Sequence, residues 1–85
     1  MLIFPNPVRS NYDGLITISG LTNQTNVKIT DVAGNLVYET VSEGGTATWD
    51  GKSFSGKRVK TGVYLFFCTN SDFTESIVKK ILIYN

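Results

Sequence analysis

The sequence predicts an all-β protein, an immunoglobulin-like antiparallel β-sandwich of seven strands. Three observations carry that prediction. Apolar residues recur at every second position rather than every third or fourth, and β-branched and aromatic types dominate the apolar set. Clusters of Gly, Asn and Asp interrupt the runs at intervals of roughly ten residues, the rhythm of two packed antiparallel sheets more than of a closed barrel or a helix-covered sheet. The cysteine pair of antibody domains is missing, so the prediction concerns architecture and not ancestry.

The elements follow in order. Leu2 to Phe4 is a short strand stopped by Pro5-Asn6-Pro7, where two prolines fix φ and remove two backbone donors, so it lies at a sheet edge or bends sharply there. From Gly14 to Ser19 a second strand sets Ile16 and Ile18 against Thr17 and Ser19. Asn26 to Val32 alternates Val27 and Ile29 with Lys28 and Thr30, a strand with one wet face. Asp31-Val32-Ala33-Gly34-Asn35 supplies turn chemistry, with Gly34 available for positive φ, and Leu36 to Val41 returns as the second arm of a hairpin. Thr46 to Trp49 is the fifth strand, followed by a long polar connection from Lys52 to Thr61. Gly62 to Thr69 is the most apolar segment, with Val63, Leu65 and Phe67 on one side and Tyr64, Phe66 and Cys68 on the other, as for a central strand covered on both faces. The last strand, Thr74 to Tyr84, sets Ile77, Lys79, Ile81 and Ile83 on one face and Val78, Lys80, Leu82 and Tyr84 on the other. Ile77, Ile81 and Ile83 are expected to close the core.

Length and charge narrow the function classes. At 85 residues the chain makes one domain with one modest core. Eight basic and seven acidic residues leave a net charge of +1 with no concentrated footprint for nucleic acid or an anionic membrane. No apolar run approaches a membrane span, so membrane insertion is not expected. Met1 precedes Leu2-Ile3-Phe4 directly, and the natural chain is expected to continue upstream. The single cysteine, Cys68, has no internal partner and sits in an apolar run as a small buried hydrophobe.

A search for chemistry finds little. Histidine is absent, which removes the commonest general base and metal ligand together. There is no Gly-x-Ser-x-Gly elbow and no glycine-rich loop leading into a helix, and Cys68 lacks a histidine partner. Asp13, Asp31, Asp50 and Asp72 occur at turns, where an Asp side chain caps local amides, and their spacing does not match a calcium loop. No catalytic residue, cofactor or metal is therefore expected. Trp49 is expected to pack in or beside the core with its indole N–H bonded; stacking of a glycan on an exposed ring is the sharper alternative.

Pro5-Asn6-Pro7 after a short apolar strand, Val27-Lys28-Ile29-Thr30-Asp31 with Gly34 and Leu36-Val37-Tyr38, Gly62-Val63-Tyr64-Leu65, and Lys79-Lys80-Ile81-Leu82-Ile83 form an ordered series of four blocks. Together they resemble the C-terminal sorting domain of type IX secretion in Bacteroidota, over essentially the whole chain. The resemblance implies a terminal β-sandwich of a larger secreted protein, here residues 1–85. Such a module carries its parent through the periplasm and across the outer membrane to the cell surface. Implied partners are the secretion translocon and its shuttle, the sortase attachment complex, and anionic lipopolysaccharide. In ordinary cargo the resemblance implies removal of the module by a sortase; here the segment from Trp49 to Val59 is fuller than in many cargo modules and is also similar to the immunoglobulin-like domain of flagellar hook-capping proteins, a departure that leaves cleavage open. The sequence is similar overall to the retained C-terminal domain of a β-propeller component of the attachment complex.

Recognition of a folded sandwich must use edges and loops. The residues expected to meet a partner are Lys79 and Lys80 on the last strand, and Lys57 and Arg58 in the basic loop they share with Lys52 and Lys60. A second reading, from a different class, is a passive structural or carbohydrate-binding immunoglobulin-like module of an extracellular enzyme.

Overall fold

The computed structural model describes all 85 residues. It contains seven strands and no helix: β1 (Leu2–Phe4), β2 (Ile16–Ser19), β3 (Asn26–Asp31), β4 (Leu36–Val41), β5 (Ala47–Trp49), β6 (Gly62–Thr69) and β7 (Ser76–Ile83). Every expected strand is present, with ends shifted by at most two residues. They form two antiparallel sheets, β1-β2-β5 and β4-β3-β6-β7. The fourth strand joins the sheet of the third, which makes one layer three strands wide and the other four.

Alternation explains the core. Ile16 and Ile18 of β2 and Ala47 and Trp49 of β5 point inward from the narrow sheet. They meet Val27 and Ile29 of β3, Tyr64, Phe66 and Cys68 of β6, and Ile81 and Ile83 of β7. Val8 and Val59 enter from connections and complete it. Trp49 is the centre of this cluster, 1% exposed. Its indole N–H donates to the Lys52 carbonyl at 2.8 Å, and its ring lies 5.8 Å from Phe66, edge-on, and 6.3 Å from both Tyr64 and Tyr38. A ring enclosed in this way has no face for a sugar, so the core placement holds and the glycan alternative for Trp49 falls.

The β3–β4 turn is built by one carboxylate. Asp31 accepts from the Asn35 side-chain amide at 3.0 Å, the Asn35 backbone N–H at 2.9 Å and the Ala33 N–H at 3.0 Å. Gly34 takes φ 90°, a conformation that an L side chain strains to adopt. These donors, the Asn35 amide first, hold the Asp31 carboxyl below its ordinary value. A depressed carboxylate stabilises the hairpin above the usual carboxylate range, and the contribution is lost as pH falls through the lowered value.

Three expectations need correction. β6 is covered on one face only: Tyr64, Phe66 and Cys68 are buried, whereas Phe67 is 38% exposed and Val63 and Leu65 are half-buried. No third layer lies outside the four-stranded sheet. Ile77 does not close the core; it is 44% exposed while Ile81 and Ile83 are at 2% and 1%. β1, the neighbouring edge of the narrow sheet, is only three residues long and leaves the first half of β7 uncovered. Thr30, expected on the wet face, is buried, with its hydroxyl donating to the Asp31 carbonyl at 3.0 Å.

Cys68 is buried and free. Burial pushes its thiol above the ordinary value. A raised thiol favours the folded state fully below the unfolded value, and that advantage fades as pH rises toward the folded one. Near pH 8 the native thiol is expected to react with an aromatic disulfide reagent at least about a hundredfold more slowly than the urea-unfolded chain. Comparable rates in the two states would show that the strand opens far more readily than its packing implies.

Candidate docking edge

The chain changes sheets near its start, and that crossover shapes the candidate site. Pro5-Asn6-Pro7 leads from β1 to Val8, which pairs in parallel with Ile83. Val8 N–H donates to the Leu82 carbonyl and Tyr84 N–H to the Val8 carbonyl, both at 2.8 Å; the Leu82 N–H reaches the Asn6 side-chain carbonyl at 3.3 Å. The outer edge of β7 is thus occupied at Leu82 and Tyr84. Backbone groups alternate in direction along a strand, so Ser76, Val78 and Lys80 aim their N–H and C=O groups toward the same side. No backbone partner meets them there. Five residues of β7, Ser76 to Lys80, are exposed along this open edge.

Lys79 and Lys80 flank the opening from opposite faces. Lys79 stands opposite Phe66 on the core side, and Lys80 stands opposite Leu65 on the outer side. Both line a shallow groove of about 180 Å³ between β1 and β7, floored by Ile3 and Ile81. Outside the sheet, Phe67 pairs with Val78 and Val63 with Leu82, an apolar stripe that Lys80 interrupts and Lys28, opposite Phe67, borders. That stripe was hidden in the sequence, because a strand covered on both faces and one exposed on one face have the same apolar composition.

Lys57 and Arg58 lie elsewhere. They line a separate recess of about 330 Å³ with Ser53, Ser55, Lys60 and Tyr64, sharing no residue with the β1–β7 groove. Lys57 is exposed. Arg58 turns inward instead: one terminal nitrogen donates to the Tyr12 carbonyl at 2.7 Å, and the other to the Arg9 and Tyr84 carbonyls at 3.1 Å each. Its Nε is buried without a partner. A guanidinium's rigid fork suits this bracing of both chain ends, whereas a loop arginine is indistinguishable in sequence from its lysine neighbours. Beside it, the Tyr64 hydroxyl donates to the Lys60 carbonyl at 2.6 Å, and burial, then the Asp31 charge, raises its pKa.

Residues 2–84 match the family described as the secretion system C-terminal sorting domain. The chain belongs to that family. No curated protein matches it. Two solved structures are similar to this sorting domain. One is PorZ, an essential bacterial surface component of the type-IX secretion system of the human oral bacterium Porphyromonas gingivalis, at 32% identity over 99% of this chain with a TM-score of 0.89. The other is dimeric latent PorU from Porphyromonas gingivalis, at 26% identity over 98% of this chain with a TM-score of 0.68. The sorting domain spans 11% of the PorZ chain and 9% of the PorU chain. The seven-stranded sandwich and the family drawn from the four sequence blocks both stand, as does the likeness to PorZ, a surface component of the secretion system. A sorting-signal domain of type IX secretion is not itself catalytic; it engages secretion machinery, and proteins that carry it are exported to the cell surface.

Proposed function

We propose that this sorting domain is the C-terminal module of a larger protein and docks that protein to the surface attachment machinery through the open edge of β7. The protein's role on this reading is delivery rather than catalysis. The observation that carries it is the exposed run from Ser76 to Lys80, with unpaired backbone groups and two lysines that open the last block of a chain matching the sorting family. An open edge offers main-chain hydrogen bonds to any extended segment, and side chains at alternate positions supply selectivity. Lys79 and Lys80 favour acidic surfaces, such as an acidic strand of the translocon, its shuttle or the sortase complex. Lys57, beside the carbonyl-bound Arg58, forms a secondary basic patch suited to anionic lipopolysaccharide.

The test separates docking from folding. Fused to an inert periplasmic reporter in a type IX-competent host, the domain is expected to bring the reporter to the cell surface. A passive or carbohydrate-binding module would leave it in the periplasm. Replacing Lys79 and Lys80 together by Gln is expected to leave the melting temperature within a few degrees, since exposed substitutions usually change stability by less than about 0.5 kcal/mol. Surface delivery or retention should nevertheless fall. If the double variant is delivered and retained like the parent, recognition does not run through these lysines.

A further inference from the structure

The narrow sheet carries no charge on any of its strands, Leu2–Phe4, Ile16–Ser19 and Ala47–Trp49, in a chain with eight basic and seven acidic residues. We infer that the outer face of this sheet packs against the domain that precedes it in the parent protein. The inference rests on the reading of the chain as the C-terminal module of a larger protein, and it leaves the open edge of β7 free for docking.

Register defines the face. Ile3, Ile16, Ile18, Ala47 and Trp49 point into the sandwich, so alternation turns Leu2, Phe4, Thr17, Ser19 and Thr48 outward. Leu15, two residues before Thr17, extends the same side. Leu2, Phe4 and Leu15 are 68%, 48% and 54% exposed, and only hydroxyl side chains lie between and beside them. The outer face of the wide sheet differs, because Lys28, Glu39 and Lys80 project from it among Phe67 and Leu65. Single apolar residues on a surface need no explanation, but an apolar patch without charge has the composition of an interface centre, with charges kept to the rim. Here Asp13 and Asp50 stand at one margin, before β2 begins and after β5 ends.

Chain geometry names the occupant. The polypeptide enters through Met1, which is half-buried against the core and whose Cα lies 3.1 Å from where a Cβ on Gly20 would stand, just past the end of β2. Protein preceding Met1 is therefore tethered at the border of this face. In PorZ and PorU the matched part is 11% and 9% of the chain, so most of either protein lies outside it. A tether supplies an effective concentration in the millimolar range, which keeps a contact with a dissociation constant of about 0.1 mM closed about ten to one. A free partner would meet a neutral face with no charge to steer it.

Cys68 gives a readout confined to this domain, because its labelled peptide is identified by mass spectrometry whatever other thiols the parent holds. In urea just below the unfolding midpoint, labelling by an aromatic disulfide reagent follows the population of opened domain. It is expected to run about tenfold more slowly in the full-length parent than in the isolated chain, the factor set by a contact closed about ten to one. Leu15→Lys and Thr48→Lys together place two ammonium groups on the face. They are expected to bring the ratio of the two rates to about one, while the isolated chain's melting temperature moves by no more than a few degrees. Equal rates in the unaltered parent and isolated chain, or a ratio that survives the two lysines, would overturn the inference. So would a dimer of the isolated chain that the double variant dissolves, which assigns the face to a second copy, or loss of surface delivery with the slow rate intact, which assigns it to the machinery. A parent with no domain ahead of this one would overturn the C-terminal reading as well, whereas a preceding domain that gives no protection overturns the inference alone.

Discussion

Trp49→Ala is expected to unfold the domain or bring it to the edge of unfolding at room temperature. The indole fills the space between the sheets, touching Tyr38, Tyr64 and Phe66, and its N–H holds the start of the β5–β6 connection through Lys52. Truncating a buried tryptophan costs roughly 3 to 5 kcal/mol, because the cavity closes only partly. Domains this small sit at the low end of the about 5 to 15 kcal/mol typical of folded proteins. Loss of most stability should appear as a collapse of the urea midpoint in far-ultraviolet circular dichroism, a signal independent of the fluorophore removed. Surface delivery should fail together with folding, in contrast to the lysine variant. A midpoint shift worth less than about 1 kcal/mol would mean that the sheets are held chiefly at their edges.

Arg58→Met is expected to cost about 2 to 4 kcal/mol, the second-largest effect, although the residue lies in a polar loop. Three carbonyls, of Arg9, Tyr12 and Tyr84, share its guanidinium, and a hydrogen bond to a charged group is worth roughly 1.5 to 3 kcal/mol, the part-buried bond to Tyr12 contributing most and the exposed bonds to Arg9 and Tyr84 less. Met keeps much of the aliphatic stem but leaves the carbonyls to find water. The crossover carrying Arg9 and the end of the chain at Tyr84 then lose their common anchor, so amide exchange should accelerate first at Val8 and Tyr84, whose bonds join them. Arg58→Lys should recover only part of the loss, because an ammonium cannot span three carbonyls with one planar fork. By contrast, Lys57→Gln next to it should be neutral to within about 0.5 kcal/mol. Equal, small effects at both positions would show that the inward hydrogen bonds of Arg58 add nothing to stability.

The contrast between Lys57 and Arg58 shows where local sequence information ends. Both are basic residues in one loop, and their grouping as a surface pair followed from composition. Only the approach of Arg9, Tyr12 and Tyr84, between 26 and 49 residues away in the chain, separates an internal brace from a solvated charge. Contacts at such separations leave no periodic trace.

Strand number, strand position and the inward placement of Ile16, Ile18, Val27, Ile29 and Trp49 were determined by the sequence itself, because the pleat sends side chains to alternate faces and a half-buried strand must alternate to match. The Asp31–Gly34–Asn35 turn was equally legible, since its carboxylate, its positive φ and its amide act within five residues. Family membership was carried by the order of four blocks along the chain. Tertiary structure alone decided which faces and edges are covered. Alternation says that Ile77, Ile81 and Ile83 share a side, but the length of β1 in the opposite sheet decides that only the last two are buried. The same limit hid the bare outer face of β6. The free edge of β7 depends on where Val8 lands after the Pro5-Asn6-Pro7 crossover, a long-range pairing that covers Leu82 and Tyr84 and leaves Ser76 to Lys80 open. Burial is a property of what arrives from elsewhere in the chain, and local chemistry cannot specify how far the covering element extends.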